Sequence, residues 1–247
     1  MKAINKSIAE TYRLLYDHYE PQGWWPLIGR RSEAGFDEEG YHPGLSPELS
    51  DNDRFEIAAG AVLTQNTSWN NVRTALNRLL CFLHEEGREL HPEDLLDMNY
   101  RVLAQCIRPS GYYNQKAKKL KVLSDFFITG KKNPAREELL SLWGIGPETA
   151  DSILLYAFDV PVFVIDAYTV RIFSRMSGEK SDSGTFSYER LQMICENSLR
   201  RDTELYREYH ALLVAHGKRT CSLRNPECPT CPLRDCCTFF LSNDIIA

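Results

Sequence analysis

The fold is decided by the stretch Leu142-Trp143-Gly144-Ile145-Gly146-Pro147-Glu148-Thr149-Ala150. It predicts two helices joined by a tight turn, because Gly144 and Gly146 flank an apolar Ile145 that can point inward while backbone N–H groups point outward. Pro147 suits the first turn of the second helix, where its missing N–H costs nothing. Exposed N–H groups at a helix start bind anions, and a DNA phosphate is a natural occupant. Alone, the turn is equally consistent with a plain helical hairpin.

Length and composition limit the class of protein. A chain of 247 residues can form one or two domains, and its apolar fraction of 43% is ordinary for a globular protein. No apolar run approaches the ~20 residues that span a bilayer, and the N-terminus lacks a signal-peptide pattern, so we expect a cytoplasmic protein without membrane contact. The net charge of −5 argues mildly against nucleic acid, although docking depends on local clusters of positive charge.

The apolar spacing predicts helices along the rest of the chain. One helix, capped by Asp51 or Asp53, is apolar almost all round and should be central. It ends at the polar stretch Leu63-Thr64-Gln65-Asn66-Thr67, which offers amide side chains on a rigid support. The apolar run 162–165 lacks partner strands and is predicted to be a buried extended connector, followed by Asp166 at a helix N-cap.

Two stretches combine aromatic and basic residues. Trp24 and Trp25 lie in a loop rich in Gly and Pro, where they serve either local packing or as a stacking surface for a ligand. Lys116 and Lys118 lie in a helix that opens with Gly111-Tyr112-Tyr113. They belong either to the solvated face of an amphipathic helix or to a surface that contacts phosphates.

Five of the eight cysteines lie between Cys221 and Cys237. Without an export signal, that clustering favours metal over disulfides. Four of them have the spacing C-x6-C-x2-C-x5-C, and four thiolates in a compact loop bind either a [4Fe–4S] cluster or tetrahedral zinc. These four are Cys221, Cys228, Cys231 and Cys237, with Cys236 as a competing fourth ligand.

Taken together, these motifs resemble the endonuclease III superfamily of helix–hairpin–helix DNA glycosylases over about residues 50–237. The resemblance implies an all-α fold of two helical domains with a DNA cleft between them. We expect one domain over 50–160 and a second over 1–49 plus 161–247. The cysteine spacing is similar to that family's [4Fe–4S] loop and selects Cys237 as the fourth ligand. The implied cluster holds the loop together and keeps Arg219 and Arg224 near DNA.

The resemblance also assigns a catalytic site. Asp166 matches the family's aspartate, which stabilises the oxocarbenium-like sugar and orients or deprotonates water. Gln65 matches the glutamine that fills the space of a flipped base, with Asn66 from the same loop. Glu148 stands where bifunctional members carry a lysine. A carboxylate cannot form a Schiff base, so we expect hydrolysis without strand cleavage.

A finer resemblance indicates the substrate. The stretches 24–26, 63–67, 108–117 and 148–151 are similar to the 3-methyladenine DNA glycosylase III subfamily, which generally lacks the four-cysteine cluster. We therefore expect a monomer that excises alkylated purines such as 3-methyladenine from double-stranded DNA, with Trp24 and Trp25 attracting the cationic base. The alternatives are a glycosylase for uracil or mismatched thymine, or a helix–hairpin–helix protein that binds DNA without chemistry.

Overall fold

The computed structural model describes residues 2–130, 133–179 and 186–243. These residues form α-helices joined by short 3-10 turns, and none of them lies in a β-strand. The helices are α1 (Lys2–Tyr19), α2 (Asp51–Leu63), α3 (Trp69–Glu85), α4 (Pro92–Asp97), α5 (Tyr100–Cys106), α6 (Tyr113–Thr129), α7 (Arg136–Leu140), α8 (Pro147–Ala157), α9 (Ala167–Ser177), α10 (Tyr188–Ser198), α11 (Thr203–Arg219) and α12 (Thr238–Asn243). In this part of the chain, no helix is long and apolar enough to cross a bilayer.

The chain divides into two compact units. The continuous unit is Trp25–Val160, and the discontinuous unit joins Met1–Trp24 to Pro161–Ala247. The boundary between the two units falls after Val160. Residues 25–49 differ from the prediction, because they group with 50–160 and not with the other domain.

Residues 25–49 join the continuous unit through buried contacts with α2. The carboxylate of Glu56 accepts hydrogen bonds from the backbone N–H groups of Ile28 and Gly29. Burial raises the pKa of Glu56 to about 7, although these backbone donors oppose the shift. Ser50, and not Asp51 or Asp53, caps α2, and Ser50 and Asp53 bond reciprocally in a capping box. As predicted, α2 is buried almost all round, and it packs on α8 and α6.

In the discontinuous unit, α11 packs against α1 and α9. The buried hydroxyl of Tyr209 donates to the carbonyl of Ile8 at 2.8 Å. The run 162–165 is a connector without regular structure, and residues 163–165 are buried, as predicted. Side chains of α10 replace strand partners there. Phe163 N–H donates to Glu196 at 2.9 Å, and its carbonyl accepts from Gln192 at 2.7 Å.

Candidate functional site

The glycine turn forms the predicted hairpin between α7 and α8. Gly144 has φ +84°, a left-handed backbone that favours glycine, and Ile145 is 7% exposed. Ile145 N–H donates to the carbonyl of Leu142 at 3.1 Å. Among the described residues, the N–H groups of Gly144 and Gly146 have no acceptor. Such open N–H groups just before α8 leave a place for an anion.

Gln65 lies against this turn and is held by both ends of its amide. Nε2 donates to the carbonyl of Gly144 at 3.1 Å and to Oγ1 of Thr149 at 2.9 Å, while Oε1 accepts from Nζ of Lys119. The neighbouring Asn66 is exposed and has a left-handed φ of +55°. The structure therefore brings the predicted wedge residue to the predicted hairpin.

Lys116 lies in the interior, which corrects the prediction that it contacts DNA. The residue is 2% exposed, and Nζ donates to the carbonyls of Leu63 at 2.8 Å and Ser110 at 2.7 Å. These carbonyls lie at the ends of helical segments, where acceptors lack intrahelical donors. Burial, assisted by the charge of Lys119, lowers the pKa of Lys116 to about 8. Lys116 is thus a structural clamp between backbone segments.

Lys118, two residues on, does lie on the surface. Its Nζ is 4.4 Å from the ring centroid of Trp143, which immediately precedes the glycine turn and is 47% exposed. Tyr112 caps the start of the same helix with a left-handed φ of +45° and is 71% exposed. The continuous unit therefore presents an exposed cation and exposed aromatic rings.

Glu148 is exposed in the first turn of α8. A carboxylate suits this position because the helix start carries partial positive charge. The side chain offers no amine to a substrate, which leaves acid–base or electrostatic roles open to it.

In the discontinuous unit, Asp166 is the N-cap of α9. Its Oδ1 accepts from the N–H of Thr169 at 2.7 Å and from its hydroxyl at 2.7 Å. Its Oδ2 lies 3.8 Å from Nε2 of His210, and the side chain is 10% exposed. Burial acts to raise the pKa of Asp166, but His210 and the Thr169 donors outweigh it, so the pKa lies below its ordinary value. The carboxylate is thus ionised at neutral pH.

Aromatic and basic groups surround this carboxylate. Trp24 packs edge-on against His210, with ring centroids 5.8 Å apart, and Nζ of Lys218 lies 5.8 Å from the Trp24 centroid. Tyr168 packs on Gly217, where a Cβ would lie 2.4 Å from its ring. Asp166 therefore shares its surroundings with the half-buried indole of Trp24.

Trp25 has a different environment, in the core of the continuous unit. It is 5% exposed and packs edge-on against Trp69 and Tyr156, with centroids 5.4 and 5.2 Å away. A Cβ on Gly60 would lie 3.0 Å from its Nε1. This corrects the prediction of an open stacking surface at Trp25, because local packing covers its ring.

The four cysteines of the spaced motif converge on one small cavity. Cys221, Cys228, Cys231 and Cys237 line it together with His216. Cys236 is not among the lining residues, and its thiol donates to the carbonyl of Leu233 at 3.2 Å. Among the described residues, no group of three or more His, Cys, Asp or Glu side chains is arranged to hold a metal ion.

Hydrogen bonds to sulfur support this loop. Nη1 of Arg175 lies 3.1 Å from Sγ of Cys221, and the N–H of Leu233 donates to Sγ of Cys231 at 3.4 Å. Arg171 binds the carbonyls of Cys221 at 3.0 Å and Gly217 at 2.8 Å. Donors aimed at sulfur suit thiolate ligands, so the chemistry of this loop fits an iron–sulfur group.

Sequence reasoning missed two residues of these sites. Nothing in the spacing of α11 distinguishes His210 from a core histidine, and its role follows only from its distance to Asp166. Lys119 lies in the lysine-rich stretch that the sequence did single out, but its contact with Gln65 joins residues far apart in the chain.

Comparisons with known proteins identify the family. The family described as HhH-GPD superfamily base excision DNA repair protein matches residues 59–197. MJ1434, a candidate DNA repair glycosylase of Methanocaldococcus jannaschii, is 38% identical over 245 residues, which is 93% of this chain and 95% of that protein.

Solved structures with this fold agree. A non-covalent endonuclease III–DNA complex has a TM-score of 0.74 at 21% identity and covers 98% of both chains. The H. pylori 3-methyladenine DNA glycosylase MagIII, bound to 1,N6-ethenoadenine, has a TM-score of 0.64 at 28% identity and covers 90% of this chain and 98% of its own.

The chain belongs to the HhH-GPD superfamily of base excision DNA repair proteins, and it is a DNA glycosylase of that superfamily. The all-helical helix–hairpin–helix fold and the resemblance to the endonuclease III superfamily are thereby confirmed.

Proposed function

We propose that this glycosylase hydrolyses the N-glycosidic bond of alkylated purines such as 3-methyladenine in double-stranded DNA. The observation that carries the proposal is the environment of Asp166. The carboxylate is held ionised by His210 and Thr169 and shares its surroundings with the Trp24 indole. A fixed negative charge beside an aromatic surface suits a flipped base attached to a sugar that becomes positive.

In the proposed reaction, the bond between C1′ and the base nitrogen breaks and its electron pair leaves with the base. Oδ1 of Asp166 accepts from Thr169, and Oδ2, 3.8 Å from Nε2 of His210, is the oxygen that we assign to the developing positive charge. Water then adds to C1′, and its proton passes to Oδ2 or to solvent. A cationic base leaves as the neutral molecule, whereas an uncharged base takes up a proton from solvent as it leaves. The products are free base and an abasic site.

The same proposal excludes a lyase step. Strand cleavage through a Schiff base needs an amine at C1′, and Glu148 supplies a carboxylate at the position of the family's lysine. The reaction therefore stops at the abasic site.

The position of Lys218 favours a second group of substrates for the same reaction, namely purine adducts that carry no charge. Its ammonium lies 5.8 Å from the Trp24 centroid, within the range of a cation–π contact. A cationic base stacked on the same ring would meet a like charge, whereas an uncharged adduct would not. The 28% identity to MagIII, a structure with bound 1,N6-ethenoadenine, supports including such neutral purines.

The continuous unit supplies the proposed DNA contacts. The open N–H groups of Gly144 and Gly146 suit a phosphate, and Lys118 with Trp143 adds a cation and an aromatic ring beside the turn. We propose that a monomer binds one duplex, with Gln65 and Asn66 filling the space that the base vacates.

A panel of duplexes, each with one modified base, tests the proposal. We expect release of free 3-methyladenine or 1,N6-ethenoadenine, with strand nicking only after alkali. Release of only uracil or mismatched thymine would contradict the assignment of alkylated purines as substrates. Nicking without alkali would contradict the reading of Glu148, and binding without any release would indicate a DNA-binding protein.

The lowered pKa of Asp166 predicts the acid limit of activity. Base release should hold down to the ordinary Asp value of about 3.9 and decline only as pH falls through the lower folded value. The carboxylate's contribution to stability is likewise complete above about 3.9 and is lost progressively as pH falls from there through the lower folded pKa. Removing the imidazole in His210→Gln should raise the pKa of Asp166 and move the acid limb to higher pH, despite the nearby Lys218 and Tyr168.

The pH dependence of single-turnover base release measures this limb. His84→Gln is the matched control, because His84 is exposed on α3 in the other unit. An acid limb that stays in place in His210→Gln would show that the imidazole does not set the charge of Asp166.

We further propose that Cys221, Cys228, Cys231 and Cys237 hold a [4Fe–4S] cluster. Their convergence on one cavity and the N–H groups aimed at their sulfurs support this assignment. When bound, the cluster cross-links the loop. Arg171 and Arg175 tie the same loop to α9, and the loop carries Arg224.

The two adjacent cysteines allow a matched test. Cys237→Ala should lose the iron content and visible absorbance of the purified protein, whereas Cys236→Ala should keep both, since Cys236 lies outside the cavity lining. Zinc in place of iron, or equal loss in both variants, would contradict the assignment.

A further inference from the structure

We propose that Lys119 couples binding of a backbone phosphate at the glycine turn to release of Gln65. This inference rests on the proposed function, in which Gln65 enters the duplex. Lys119 would act as a positioning residue, because it touches Gln65 and not the reacting atoms.

The amide of Gln65 makes three hydrogen bonds in the protein without DNA. Both hydrogens of Nε2 are donated, to Gly144 and Thr149, and Oε1 accepts from the Lys119 ammonium. The donors and acceptors around the amide fix its orientation, because a carbonyl needs the nitrogen side and an ammonium needs the oxygen side. Gln65 is therefore retracted onto the hairpin and must exchange these partners before it can enter DNA.

Lys119 also lies across the turn where the phosphate would bind. A Cβ on Gly144 would lie 2.5 Å from Cε of Lys119 and 2.9 Å from Cδ and Cγ, so the lysine stem covers this glycine. The open N–H groups of Gly144 and Gly146 belong to the same turn. A phosphate held by these groups would thus arrive beside the ammonium.

The Lys119 ammonium binds a phosphate oxygen more strongly than it binds the amide oxygen of Gln65. A hydrogen bond from an ammonium to an anionic oxygen is stronger than one to a neutral amide oxygen. Lys119 is half-buried, and this burial lowers the pKa of its ammonium. A phosphate therefore takes the ammonium from Gln65 and removes one of the three bonds that hold the wedge back.

The test measures base extrusion in the Asp166→Asn background, where the base is not released. The probe is a duplex with one 1,N6-ethenoadenine, whose fluorescence rises on unstacking, at saturating protein. In separate duplexes, each phosphate near the adduct is replaced in turn by a neutral methylphosphonate. The variants are Lys119→Met, which keeps the stem over Gly144, and the control Arg101→Met, which removes an exposed charge on α5 of the same unit.

With Lys119 present, we expect one phosphate whose neutralisation slows extrusion about ten-fold, in line with the loss of one charge-assisted hydrogen bond. Lys119→Met should extrude the base at least as fast and lose that sensitivity, whereas Arg101→Met should keep it. If Lys119 had only a structural role, Lys119→Met would lower the melting temperature without changing which phosphate affects extrusion. The coupling would be disproved if Lys119→Met kept the same sensitive phosphate. It would also be disproved if no phosphate affected extrusion in the protein that retains Lys119, or if that protein did not extrude the base. The glycosylase proposal is tested separately by base release from the unmutated chain.

Discussion

Asp166→Asn should abolish base release almost completely, with a loss of about 10³-fold in the single-turnover rate. The variant removes the negative charge that, in the proposed reaction, stabilises the sugar. It keeps the helix cap, because an Asn oxygen can accept from Thr169 as the carboxylate does. The effect on folding should therefore be small and the effect on chemistry large. Release of radiolabelled base with protein in excess over DNA measures the rate, and thermal unfolding measures the fold.

Binding of the same duplex provides the internal control. We expect Asp166→Asn to bind lesion DNA about as tightly as the unmutated protein, since the group acts after the base is extruded. A rate that falls less than three-fold would place the catalytic charge elsewhere. Binding with no release by either protein would favour a DNA-binding protein without chemistry.

The second large effect concerns stability. Asp151, 0% exposed on α8, accepts a two-pronged ion pair from Arg136 on α7, with Nε to Oδ1 at 2.6 Å and Nη2 to Oδ2 at 3.0 Å. Arg136→Met keeps most of the stem but leaves the buried carboxylate without this partner. We expect a loss of about 3 kcal/mol in the free energy of unfolding, measured by urea denaturation.

Two further variants separate charge from packing. Arg136→Lys keeps the charge but not the planar fork, so its loss should be intermediate. Asp151→Asn in the Arg136→Met background should recover part of the stability, because the buried charge is gone. A loss below about 1 kcal/mol in Arg136→Met would mean that the pair behaves like a surface salt bridge.

Backbone chemistry explains what could be predicted from the sequence. The hairpin follows from glycine at a left-handed position, proline at a helix start and one apolar residue between glycines. The first helix differs in detail, since α7 ends at Leu140, before the stretch 142–150 begins. The Asp166 cap and the buried connector before it were likewise predicted, because both depend on residues close together in sequence.

Long-range contacts explain the errors. Spacing alone makes Lys116 resemble Lys118, and only the carbonyl of Leu63, 53 residues away in the chain, makes it an interior residue. The assignment of residues 25–49 failed for the same reason, since it depends on the buried carboxylate of Glu56. Neither the pocket role of Trp24 nor that of Asn66 follows from local pattern, and both stay predictions.

The discontinuous unit has a consequence during synthesis on the ribosome. The buried bond from Tyr209 to Ile8 joins residues 201 positions apart. At translation rates of about 5–20 residues per second, α1 waits roughly 10–40 s for that partner. Throughout this delay, Ile8 and Leu15 on α1, both fully buried in the folded protein, have no α11 to cover them. The intervening Trp25–Val160 segment, by contrast, contains all of its own core residues once it has emerged from the ribosome. The hairpin between α7 and α8 can therefore fold before the unit that holds Asp166 is complete.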